Sequence, residues 1–302
     1  MRGATLPTAV EEVCTTSDGA RLRVLDEGPR DAPVTVVFTH GWTLSQRSWD
    51  GVVDGLPVAA GTEVRTVRFD FRGHGDSDPA EDGVASIDRC ADDLAELIDQ
   101  RVPHGRIVLA GHSMGGMTIM ALAERHPHLL DRVAGVAFVG TSAGDLAAPA
   151  LGLPAGPAAL ANRGERAFRK RLATARGRRL VKRSALLRPG MRWLLFGRRP
   201  QSEHVAATAE WLGAVHPANM AAYRESLAVH ERAGVLGKFA DLPVVVLAGT
   251  ADRLTPFAHA QRISEQLPGA RLLVYAGAGH MLPLERSGAV TDRIAELVRG
   301  AR

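Results

Sequence analysis

Short apolar runs recur along the chain, separated by stretches whose apolar residues fall at helical spacing. Val10–Thr16 and Arg21–Asp26 flank Ser17-Asp18-Gly19, a turn tripeptide that predicts a hairpin. Val34–Thr39, Val64–Phe69, Arg106–Ala110, Arg132–Gly140, Pro243–Ala248 and Ala270–Tyr275 are the length of strands and rich in β-branched residues, as buried strands are. Between them, Ser48–Leu56 predicts a short helix. Ile87, Cys90, Leu94, Leu97 and Ile98 recur with helical period, so 86–101 predicts an amphipathic helix. Met117–Arg125, rich in Ala, Leu and Met, predicts another. Strands that alternate with helices give an α/β fold: a mostly parallel sheet with helices on both faces. In such sheets ligands bind beyond the carboxyl ends of the strands.

The alternation fails over residues 142–240. The stretch opens with Ala147–Pro157, rich in Pro, Gly and Ala, which reads as a linker, and continues as helical material up to Leu242-Pro243. The expected organisation is a core of 1–141 and 241–302 carrying an insertion at 142–240, after the sixth strand. Charge sharpens this division. Ala161–Pro200 holds 14 Arg and Lys against one acidic residue, Glu165, a local charge of +13 in a chain of +4, which leaves −9 for the rest. Leu180-Val181, Leu186-Leu187 and Trp193-Leu194-Leu195-Phe196 are interleaved with these cations. Basic and bulky apolar residues together suit an anionic membrane surface or an amphiphilic substrate. Nucleic acid is disfavoured, because charge alone suggests it and no binding motif accompanies the charge.

A length of 302 residues suffices for one large core and an insertion. No apolar run is long enough to span a bilayer. Met1–Val13 lacks a basic region followed by an apolar core, so no secretory signal is expected. Cys14 and Cys90 lie in separate elements without metal-ligand spacing. Both are expected as free thiols in a reducing, cytoplasmic setting, with no metal and no cofactor.

The chemistry centres on Gly111-His112-Ser113-Met114-Gly115, a G-x-S-x-G pattern between a strand and a helix. That turn thrusts the Ser113 hydroxyl out at the end of the sheet, and its tightness demands small flanking residues, here Gly111 and Gly115. A serine hydroxyl needs a base within reach, and the base needs a carboxylate to fix its tautomer. His280 is the candidate base, in the loop Ala276-Gly277-Ala278-Gly279-His280 after a strand. Asp252 is the candidate acid, in Gly249-Thr250-Ala251-Asp252 after another; Asp145, after the preceding strand, is the rival. His40-Gly41-Trp42 ends a fourth strand. The backbone N–H groups of Trp42 and Met114 are the candidate oxyanion donors, since charge develops on the carbonyl oxygen during attack.

Taken together these residues resemble the α/β-hydrolase fold family, over nearly the whole chain except the insertion. The order Ser, Asp, His is that of the family. Phe69-Asp70-Phe71-Arg72-Gly73-His74-Gly75-Asp76-Ser77 is similar to its D-x-R-G-x-G-x-S loop, and Gly279-His280-Met281-Leu282-Pro283-Leu284-Glu285 to its histidine loop. The glycine-rich segment is expected to be a structural turn locked by Asp70 and Arg72. It is no phosphate loop, having no Lys-Ser/Thr pair after its glycines. The resemblance implies that the insertion is a cap over the active site.

The fold hosts many reactions, and the site decides among them. In the family, epoxide hydrolases and dehalogenases carry a carboxylate where this chain has Ser113. Serine points to acyl chemistry through an acyl-enzyme. The expectation is a serine hydrolase of a carboxylic ester, an esterase or lipase acting on a small-molecule, lipid-like ester or thioester. C–C bond hydrolysis, cofactor-free haloperoxidase or perhydrolase activity, and a hydrolase-like small-molecule receptor are the alternatives. Trp42 resembles the aromatic found beside the oxyanion hole of the perhydrolases.

Overall fold

In the computed structural model, residues 10–81, 85–146 and 183–301 are described, together with 163–164, 167, 170–174 and 180–181. The linker expected at 147–157 lies outside them. Eight strands form one sheet: β1 (Val10–Thr15), β2 (Arg21–Glu27), β3 (Val34–Thr39), β4 (Arg65–Phe69), β5 (Arg106–His112), β6 (Val133–Val139), β7 (Val244–Gly249) and β8 (Arg271–Tyr275). Their spatial order is β1-β2-β4-β3-β5-β6-β7-β8. β1 and β4 pair antiparallel with β2, and every other pairing is parallel. The β1–β2 turn is closed by the Thr16 N–H on the Ala20 carbonyl at 2.9 Å.

The central strands β3, β4, β5, β6 and β7 are almost wholly buried on both faces, which is why they read as unbroken apolar runs. One face carries helices α1 (Ile87–Arg101), α2 (Met114–Arg125) and α6 (Phe257–Gln266). The other carries α7 (Ser287–Gly300) and the short helical turns Asp50–Val53 and Leu56–Ala60. The helix expected over 48–56 is thus broken into turns. Gly51 and Gly55 fall within it, and glycine weakens a helix interior. Ser86 caps α1 by accepting the Arg89 N–H at 3.1 Å. α2 begins at Met114, three residues earlier than expected, and β5 runs on to His112. No residue but Ser113 separates strand from helix.

The segment between β6 and β7 contributes α3 (Arg188–Leu195), α4 (Ser202–Ala214) and α5 (Pro217–Ala228). Leu195, Phe196 and Val205 from this segment pack with Leu44 and Met281 in a small third core. Tyr223 and Leu227 of α5 join the main core instead. The segment is therefore anchored twice, on the sheet's helical layer and on the loops beyond the strand ends.

The turn after β4 is locked as expected, but by two separate devices. The Asp70 carboxylate accepts the N–H groups of Gln46 (2.8 Å) and Asp76 (3.2 Å). Arg72 makes paired bonds to Asp93 of α1 (2.6 and 2.7 Å) and to Asp18 of the β1–β2 turn (2.7 and 2.8 Å). Asp70 and Arg72 do not bond each other.

Candidate active site

Strand order reverses around β3, which lies between β4 and β5. Crevices open at such a switch point, because the loops leaving the two neighbouring strands diverge. Gly41-Trp42 leaves β3 there and Ser113 leaves β5. Ser113 has φ +53°, a left-handed conformation that a β-carbon disfavours. It is held by its N–H on the Val139 carbonyl (2.9 Å) and by the Thr141 hydroxyl, which donates to the Ser113 carbonyl (2.7 Å). Thr43 (φ +64°) and Asp145 (φ +60°) also have positive φ, and all three residues line one cavity. Strain of this kind gathers at functional sites.

Two glycines let the backbones approach. A β-carbon on Gly115 would stand 2.3 Å from the Thr39 carbonyl oxygen, so only glycine lets α2 start against the end of β3. One on Gly41 would stand 3.0 Å from His112 Nδ1 and 3.2 Å from the Ser113 β-carbon, so only a glycine lets the loop after β3 pass this close to the serine turn. Two buried neutral histidines brace this loop. His40 accepts the Phe71 N–H at Nε2 (2.9 Å) and donates from Nδ1 to the Gly41 carbonyl (2.8 Å). His74 accepts the Thr43 N–H at Nε2 (3.0 Å) and donates to the Arg72 carbonyl (3.1 Å). Burial holds both well below the usual histidine range, His74 at about 4. Among the described residues, the N–H groups of Trp42 and Met114 donate to no backbone oxygen.

His280 and Asp252 meet across the loops after β8 and β7. His280 Nδ1 lies 2.8 Å from Asp252 Oδ2, and both side chains are buried. Burial alone would raise the Asp252 carboxyl. The His280 charge and hydrogen bond, with those from Thr255, outweigh it and hold the group below the usual carboxylate value. The N–H groups of Leu254 (2.8 Å) and Thr255 (2.9 Å) bond Asp252 Oδ1, and the Thr255 hydroxyl donates to Oδ2 (2.8 Å). With Nδ1 turned to the carboxylate, Nε2 of His280 is left as an acceptor. Ser113, Asp252 and His280 all line the cavity. Among the described residues no hydrogen bond joins Ser113 to His280; such bonds often tighten only in the substrate complex.

The structure also uses residues that the sequence reading passed over. His112, inside the serine motif, donates from Nε2 to the His280 carbonyl (2.8 Å) and so ties the two loops together. Burial first, and then the charge of His280, lowers it to about 3. Thr255 stands three residues after Asp252, the spacing at which a side-chain oxygen caps a turn, and that spacing is legible in sequence. The Leu195 carbonyl accepts the N–H groups of His280 (2.7 Å) and Met281 (3.3 Å), while Glu285 bridges the N–H groups of Gly197 and Gly279, each at 2.9 Å. Nothing local announces these ties. Asp145 lines the cavity, but its N–H is bonded to Glu231 (3.2 Å) and its carboxylate does not bond His280.

The cavity is about 740 Å³. Its wall is mainly apolar: Trp42, Leu44, Met117 and Leu254 from the core, and Met191, Leu194, Leu212, Met220 and Leu227 from the segment between β6 and β7. Asp145, Arg224 and His259 supply further polar lining. Among the described residues no cluster of His, Cys, Asp or Glu could hold a metal ion, and no helix is long and apolar enough to cross a membrane.

A model of the alpha/beta hydrolase family matches residues 36–293. A pimeloyl-[acyl-carrier protein] methyl ester esterase of Aromatoleum aromaticum is 31% identical over 269 residues, 88% of this chain and 98% of that protein. A putative 2-succinyl-6-hydroxy-2,4-cyclohexadiene-1-carboxylate synthase of Bacillus subtilis is 37% identical over 131 residues, 43% of this chain and 44% of that protein. Several curated relatives of 37–38% identity likewise match over less than half their own length. The solved structure of a thermophilic esterase from Thermogutta terrifontis superposes with a TM-score of 0.73 at 26% identity, over 98% of this chain and 100% of that one.

Proposed function

Since the chain belongs to the alpha/beta hydrolase family, we propose that it is a serine hydrolase cleaving carboxylic esters through Ser113, His280 and Asp252. The observation that carries this reading is the buried His280–Asp252 pair at 2.8 Å, lining the same cavity as a serine held in a strained turn. His280 Nε2 takes the Ser113 proton as Oγ attacks the ester carbonyl carbon. Asp252 steadies the imidazolium that forms. The N–H groups of Trp42 and Met114 receive the developing oxyanion. Collapse expels the alcohol, which takes its proton from His280, and leaves an acyl-enzyme. Water then attacks the acyl carbon as it gives a proton to His280, and the C–Oγ bond breaks as His280 returns that proton to Ser113, which releases the acid.

Residues 142–240 act as a cap in this reading. Their side chains supply much of the apolar cavity wall, which suits an acyl chain rather than a small polar acid. The full-length similarity to an enzyme named for a methyl ester of a carrier-bound acyl group points the same way. The test is turnover of nitrophenyl esters from acetyl to palmitoyl by the wild type and by Ser113→Ala. Loss of about 10⁴-fold or more in the variant is expected, with a preference for chains longer than acetyl. Retention within roughly tenfold would overturn Ser113 as nucleophile. Fluorophosphonate labelling of Ser113 without turnover of any ester would move C–C bond hydrolysis ahead of ester cleavage.

A further inference from the structure

We infer that the outward face of α3 is a docking surface for a bilayer bearing anionic headgroups. The helix has two faces. Met191, Leu194 and Leu195 turn inward, onto the cavity and the small third core. Pro189, Gly190 and Trp193 of the helix are exposed, Trp193 to 55%, and Leu186, in the helical turn Ser184–Leu187 that leads directly into it, is exposed to 75%. An apolar stripe of this kind is costly in water, and a solvated helix has no use for it. Arg183, Arg188, Arg192, Arg198 and Arg199 flank these residues in the chain and are all exposed, and Arg192 shares a cleft with Pro189 and Trp193. No acidic residue occurs between Arg166 and Ser202.

Charge names the occupant. A second protein chain covering this stripe would need a matching acidic rim around an apolar centre. A bilayer with anionic lipids offers both at once, an apolar boundary for Leu186 and Trp193 and negative charge for the arginines. A cleft of about 340 Å³ beside Trp193 presents Arg192 and Arg253, and the Arg253 guanidinium lies over the Trp193 ring at 5.4 Å. Tryptophan beside arginine is the residue pair expected at a headgroup boundary.

Docking would also reach the cavity. Arg253, next to Asp252, donates to the Trp193 carbonyl (2.7 Å), and the Leu195 carbonyl holds the His280 N–H. Trp193 lines the cavity as well as the outer cleft. A bilayer on this face therefore sits at the rim of the catalytic cavity.

The experiment is co-sedimentation of the full chain with phosphatidylcholine vesicles and with mixed phosphatidylcholine–phosphatidylglycerol vesicles, at low and high salt. It reads binding, so its outcome does not depend on which reaction Ser113 performs. Binding to the anionic vesicles alone is expected, weakening with salt, together with a blue shift of tryptophan emission that Trp193→Phe reduces. Arg188→Gln and Arg192→Gln should each lower the partition coefficient about five-fold. Leu186→Glu should lower it further, while Val58→Glu, at an exposed apolar site away from the insertion, should not. Because Leu186 and Arg188 are exposed, these variants should melt as the wild type does. Equal binding to both vesicle types, no binding at low salt, or wild-type binding by Leu186→Glu would overturn the inference. Retention of the protein by single-stranded DNA without vesicle binding would overturn it in favour of nucleic acid.

Discussion

Asp252 and Asp145 both follow strands and both line the cavity, yet their surroundings differ in kind. Asp252 is buried, takes two backbone N–H bonds and a hydroxyl bond, and faces His280 at 2.8 Å. Asp145 has a positive φ and gives its N–H to Glu231. Of the two, only Asp252 bonds the His280 imidazole. Asp252→Asn is therefore expected to lower kcat by about 10²–10⁴-fold, as an amide no longer holds Nδ1–H toward it. Asp145→Asn should change kcat by a few-fold at most. Steady-state kinetics on a nitrophenyl ester decide this, and a larger loss at Asp145 would reassign the acid.

At the level of elements, the junction of β5 and α2 sets the position of Ser113, the proposed nucleophile. One residue turns strand into helix, and the close contact of Gly115 with the Thr39 carbonyl leaves no room for a side chain. Gly115→Ala should destabilise the fold by roughly 1–3 kcal/mol, the usual cost of overpacking, and should slow fluorophosphonate labelling of Ser113. Gly288→Ala is the matched control, because open space surrounds that position in α7; there the change should be neutral or mildly stabilising. Equal melting temperatures for the two variants would argue against the close approach. The same junction explains a difference from expectation. Propensity located the helix at its Ala- and Leu-rich stretch from Met117, whereas packing against β3 starts it at Met114 despite two glycines in the first turn.

Across the whole molecule, buried ionisable groups set how the fold responds to acid. Burial holds His40 well below its ordinary value, His74 and His230 at about 4 and His112 at about 3. A histidine whose folded pKa lies below its unfolded value contributes stability above the unfolded value of about 6.5, and loses it as pH falls toward the folded one. Asp70 runs the other way. Burial raises it from 3.8 to about 6, so its contribution is present below 3.8 and lost as pH rises through 6. Near pH 5, unfolding makes the four histidines each take up a proton, while Asp70 releases one and Asp50, Asp93 and Glu285, also raised by burial, offset part of the rest. Stability should therefore fall between pH 6.5 and 4.5. Urea unfolding across that range measures it, and a flat midpoint would show that the histidines are not buried in neutral form.

The strands, the chain order of Ser113, Asp252 and His280, and the loops that carry them are legible in the residues alone. Those signals are local: an apolar run, a glycine beside a serine, a histidine after small residues. The family followed from their order. What tertiary structure alone decided is how the loops are held to one another. That His112 ties the serine motif to the histidine loop, and that Leu195 bonds the His280 N–H from 85 residues away, depends on strand order and on where the insertion folds back. The cavity is decided at the same level, since its walls come from segments far apart in the chain. The basic, apolar-interleaved stretch was visible as composition. Only folding separated its last part, α3, into an inner face that lines the cavity and an outer one left to solvent, because a helix buries whichever side its neighbours can cover.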